Sequence, residues 1–146
     1  MRGVRNMMAA VVVAAGLTGA SVAEAKDRAE AWAIWSARAQ AIDDALQGGE
    51  IGPMKTACNG VTGMLISQGF QFPYWAQGLI PVCRVSKDLW IYSGSKRGVK
   101  KWCGDVKDAA GQIGKAEPVA EAPRASVIAL NISARMRASY EQLCRK

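Results

Sequence analysis

From residue 27 onward the apolar positions recur at steps of three and four, the spacing of a single helix face. Trp32, Trp35, Ala39, Ile42 and Leu46 form the first stripe, with Arg28, Arg38, Asp43 and Asp44 off it. Asp27 with Glu30 three residues on resembles a capping box that opens this helix, and Gly48-Gly49 stops it. A second helix is predicted with Pro53 in its first turn and Ala57, Val61, Met64 and Leu65 as its buried face. Gly60 and Gly63 each cost about 1 kcal/mol relative to Ala inside a helix. That helix therefore either offers a small-residue groove to a neighbour or starts later. Phe70, Phe72 and Tyr74 alternate around Gln71 and Pro73 and, with Trp75, predict an aromatic loop. Phe70 and Phe72 are expected to fold back over the core, which leaves Tyr74 and Trp75 as candidate contacts.

Residues 81–92 suit a helix through Val82, Val85 and Leu89 and a strand through Val85, Leu89 and Ile91; their length and helical neighbours favour helix. Val99, Trp102, Cys103, Val106, Ala110 and Ile113 give a clean stripe, with charged residues outside it. Residues 114–123 contain two prolines and read as an exposed linker. Val127 or Ile128, then Ile132, Met136, Tyr140 and Leu143 predict a last long helix. The chain of 146 residues is too short to split into domains, which happens beyond roughly 200–300 residues. The expected fold is all-α, a small bundle of four to five helices over residues 26–146.

The N-terminus departs from this pattern. Arg2 and Arg5 precede an apolar run from Met7 to Leu17, and small residues lead to Ala23-Glu24-Ala25. A basic start, a short apolar stretch and an A-x-A site are the parts of a secretory signal peptide, expected at residues 1–25. Eleven residues at about 1.5 Å each fall far short of a bilayer core of about 30 Å, so the run is not read as a membrane anchor. Nothing later is apolar for long enough to span a membrane. Removal of the segment changes the net charge from +7 to +6. The location this implies is the periplasm or the exterior.

In an oxidising compartment, four cysteines imply two disulfides. Cys58, Cys83, Cys103 and Cys144 stand 25, 20 and 41 residues apart. These gaps lack the close pairs of a thiolate zinc site and the C-x-x-C of a redox centre. The pairing Cys58–Cys83 with Cys103–Cys144 ties helices that are neighbours along the chain. Cys83–Cys103 with Cys58–Cys144 is nearly as good.

No catalytic motif stands out. The sequence has no His, which removes the commonest general base and zinc ligand. Ser93 and Lys96 satisfy S-x-x-K, but the companion motifs of penicillin-binding enzymes are missing. Glu50 has a cleft-like setting for cell-wall hydrolysis, yet no second carboxylate stands out as its partner. Asn131-Ile132-Ser133 fits a glycosylation sequon inside a predicted helix. Phosphate-binding glycine motifs are absent, and no cofactor is expected.

Charge is the remaining handle. Arg84, Lys87, Lys96, Arg97, Lys100 and Lys101 face only Asp88 between residues 84 and 103, a local balance of +5. Trp90, Tyr92 and Trp102 are interleaved with them. Basic groups among aromatics suit single-stranded nucleic acid, but an exported protein seldom meets it. An acidic protein surface in the cell envelope is the preferred partner, and anionic envelope polymer or lipid headgroups the alternative. The residues expected to touch the partner are Lys96, Arg97, Lys100 and Lys101, with Trp75 as an apolar anchor. The general description resembles small accessory proteins of a bacterial-type periplasm, such as inhibitor or immunity proteins and components of secretion or conjugation systems. The expectation is a non-enzymatic protein-binding module, with a small cell-wall hydrolase centred on Glu50 as a further alternative.

Overall fold

The computed structural model describes residues 27–92 and 96–145, and for 87–92 and 96–99 the backbone alone. The expected signal segment lies outside the described residues. Within them the regular elements are all helical. Helix α1 covers 27–48, α2 Ile51–Cys58, α3 Val61–Ser67, α4 Leu79–Tyr92, α5 Lys96–Ile113 and α6 Pro123–Cys144, with a 3-10 turn at Ala76–Gly78 before α4.

Helix α1 follows its stripe. Trp32, Trp35, Ala39 and Ile42 are buried and Leu46 is half-buried. Gly49, at φ 69°, turns the chain out of the helix, and its N–H still donates to the Ala45 carbonyl at 3.1 Å. A glycine takes this left-handed backbone without the Cβ clash other residues meet. The expected second helix is two short ones. Gly60, at φ 67° and ψ 18°, breaks it, and α3 starts in a new direction. Ala57, Val61 and Leu65 are buried all the same. The Arg38 guanidinium holds the end of α2, donating from Nη1 to the carbonyls of Ala57 at 3.1 Å and Asn59 at 2.8 Å. Those carbonyls lack intrahelical partners, and a cation is favoured at that end of a helix.

The ambiguous segment 81–92 is helix. Helix α5 packs on both α4 and α6, more extensively on α6 than on α4. Val82, Val106, Ile113 and Ile132 meet in the interior, each fully buried. Two disulfides clip this arrangement in the preferred pairing. Cys58–Cys83 joins the last residue of α2 to α4, and Cys103–Cys144 joins α5 to the last residue of α6. Each contributes about 2–4 kcal/mol, chiefly by restricting the unfolded chain.

Two further details differ from the sequence reading. The linker at 114–122 is only partly exposed, because Ala116, Val119 and Ala122 pack against the core. Its first residue permits a close crossing: a Cβ on Gly114 would lie 2.7 Å from Ser133 Oγ. The Ser133 hydroxyl donates to the Ala110 carbonyl at 2.8 Å. Asp43, expected off the buried stripe, is only 4% exposed and pairs with Arg135 Nε of α6 at 2.6 Å. Helix α1 has neighbours on more than one side, so its buried arc is wider than one stripe.

Candidate functional site

Two surfaces and one loop carry the residues that sequence reasoning singled out. The first surface is the start of α5. Lys100 and Lys101 are exposed there, and Lys101 pairs with Asp105 one turn on at 2.7 Å. Lys96 and Arg97 occupy the first turn of the same helix, and their side chains lie outside the described residues, as do those of Lys87, Trp90 and Tyr92. The first turn of α5 carries no acid. Cations there meet the positive end of the helix dipole and are disfavoured by roughly 0.3–1 kcal/mol each at low salt. The Cys103–Cys144 bridge pins the end of α6 to this region and brings exposed Arg145 with it, itself paired with Glu141 at 2.7 Å. Arg84 is also exposed. Trp102 is not part of the surface. Its ring is buried, and its indole N–H donates to the Val85 carbonyl at 3.1 Å.

The aromatic loop turns inward. Phe72 is buried and Phe70 half-buried, as the fold-back reading expected. Trp75, expected as an apolar contact for a partner, is a correction: it is 5% exposed. It stacks on Trp32 at 5.5 Å and meets Trp35 edge-on at the same distance. The reason is local. Trp75 leads into the 3-10 turn Ala76–Gly78, whose Ala76 carbonyl accepts from Trp35 Nε1 at 2.9 Å. That hydrogen bond draws the turn against α1 and takes the indole with it. In a small domain an aromatic burying some 150–250 Å² serves the core better than the surface. Gln77 donates to the Phe72 carbonyl and Gln112 to the Tyr74 carbonyl, each at 2.8 Å, which stitches the loop down. Tyr74 is 64% exposed, with the Lys115 ammonium 5.8 Å from its ring centroid.

On the second surface the sequence pointed to Glu50 alone, and the extent of the groove was missed. An open groove of about 950 Å³ runs between α1 and α2, lined by Ile34, Ala37, Ala41, Gly48, Pro53 and Thr56 among others. Arg38, Asp44 and Glu50 also line it. No partner carboxylate for Glu50 stood out in the sequence; the fold brings Asp44 to the same groove, and both acids are exposed. The signal for the groove was present in principle. Between Glu30 and Asp44 the exposed positions of α1 are Ala33, Ile34, Ala37 and Ala41, and alanine draws no attention in a hydropathy pattern.

Other marked residues are structural or incidental in their placement. Asn131 is exposed in the middle of α6, while Ser133 of the same sequon is buried. Ser93 lies outside the described residues. Among the described residues no group of three His, Cys, Asp or Glu could hold a metal ion, and no helix is long and apolar enough to cross a membrane. Comparison with protein-family models, with curated proteins and with solved structures finds no match to this chain.

Proposed function

We propose that the chain is a small exported, non-enzymatic protein-binding module of a bacterial-type periplasm, which engages an acidic protein partner through the basic start of α5. One observation carries the reading: Lys100 and Lys101 stand exposed in the second turn of a helix whose first turn holds Lys96 and Arg97 and no acid, in a chain of net charge +7. An acidic partner would complement this concentration of positive charge and would be steered toward it. The two disulfides support the same reading, since a framework already rigid has little ordering entropy to lose on association. With Trp75 in the core, the contact set is Lys96, Arg97, Lys100 and Lys101.

The test is a pull-down from periplasmic extract with the protein and its Lys100→Glu/Lys101→Glu variant. A single stoichiometric partner with an acidic surface is expected, bound more weakly as salt rises. Charge reversal should lower its affinity on the order of tenfold. Sedimentation with purified cell wall, and no protein partner, would move the reading to anionic polymer. Binding indifferent to both salt and charge reversal would end it.

A further inference from the structure

We propose that the pocket where the ends of α1 and α6 meet α2, α4 and α5 binds a small primary amine that carries a single hydrocarbon ring. This rests neither on the reading of α5 nor on the groove between α1 and α2. The pocket holds about 160 Å³. Met54, Val85, Trp102 and Met136 are buried in its wall, while Leu143 and Glu50, both exposed, stand at its mouth. Protein interiors keep few voids larger than a water molecule, and an apolar cavity of about 150 Å³ takes up a benzene ring. Flexible methionines adjust to such a ring and make favourable sulfur contacts with it. The size fits one ring and not an acyl chain.

The polar groups of the wall select the other end of the ligand. Ser86 and Ser139 line the pocket, and each gives its hydroxyl proton to its own helix. Ser86 Oγ donates to the Val82 carbonyl at 2.8 Å and Ser139 Oγ to the Arg135 carbonyl at 3.1 Å. The Trp102 indole N–H is committed to Val85. Glu50 is the one charged residue among the described lining, and its side chain makes no capping hydrogen bond at the start of α2. The side-chain polar atoms left for a ligand are therefore acceptors alone: two hydroxyl oxygens and a carboxylate. Such a set calls for a donor, and the carboxylate for a cation. A primary ammonium offers three donors and no acceptor. At the mouth beside Glu50 it keeps part of its water, so the cost of burying an unpaired charge does not arise.

Titration of the isotope-labelled protein with benzylammonium, followed by nuclear magnetic resonance at the indole N–H groups, tests this. The Trp102 resonance should shift to saturation, and that of Trp35, which donates to Ala76 outside the pocket, should not. Methylammonium lacks the ring and benzoate reverses the charge; each should bind more weakly by on the order of tenfold or more. Glu50→Gln, at an exposed position, should weaken benzylammonium about tenfold with the helical signal unchanged. No saturable shift of Trp102 at millimolar benzylammonium overturns the proposal. So does benzoate or methylammonium bound as tightly, or an affinity that Glu50→Gln leaves as it was.

Discussion

Asp43 and Arg135 close a contact between α1 and α6 across 92 positions of chain, and the two partners are not equivalent. The Asp43 side chain is 6% exposed and the Arg135 side chain 36%. Removing the arginine strands a carboxylate away from water, which costs about 3–5 kcal/mol. Replacing the acid leaves a guanidinium that can turn to solvent and an amide that still accepts a hydrogen bond, for about 1–2 kcal/mol. Arg135→Met should therefore be the more destabilising of the pair with Asp43→Asn, read from urea midpoints at constant slope. Glycines separate in the same way. Gly114→Ala forces a methyl group against Ser133 Oγ and the Ala110 carbonyl and should cost about 1–3 kcal/mol. Gly63, inside α3 with open space where a methyl group would sit, should gain about 0.5–1 kcal/mol as Ala.

At the level of elements, the stripes of α1, α5 and α6 were legible because burial on one side of a helix writes itself into the sequence every three or four residues. Ile128, Ile132 and Met136 are buried as spaced. The stripe fails toward the end of α6, where Tyr140 is half-buried and Leu143 is 48% exposed. There the Cys103–Cys144 bridge adds to the partial burial of Tyr140 in holding the helix down. The split of α2 from α3 was not legible. Gly60 permits a left-handed break, but whether the chain takes one depends on what Arg38 and the core offer the two fragments. The two bridges should accordingly behave differently. Cys103→Ala/Cys144→Ala is expected to lower stability by about 2–4 kcal/mol and to speed hydrogen exchange chiefly in the last turns of α6. Cys58 and Cys83 are 2% and 3% exposed, so their removal also opens the core and should cost more. Equal effects from the two pairs would contradict this account.

For the whole molecule, compartment and covalent framework belong together. Thiol titration of unfolded, unreduced protein from its native compartment should find no free sulfhydryl, and four would remove the basis for an exported module. The basic segment could be read from composition alone, whereas the placement of Trp75 could not. A loop aromatic faces in or out according to what closes over it, and here the partners are Trp32 and Trp35, some forty residues away in sequence. The groove was hard to see for the opposite reason, since Ala37, Ala41, Gly48 and Thr56 in its walls have little hydropathy of their own. Of the five tryptophans, Trp32, Trp35, Trp75 and Trp102 are buried, three of them in mutual ring contact. The folded chain therefore carries its own optical gauge, with emission dominated by indoles shielded from water. Their shared asymmetric setting should also give a strong near-ultraviolet dichroism that vanishes once α1 leaves the loop.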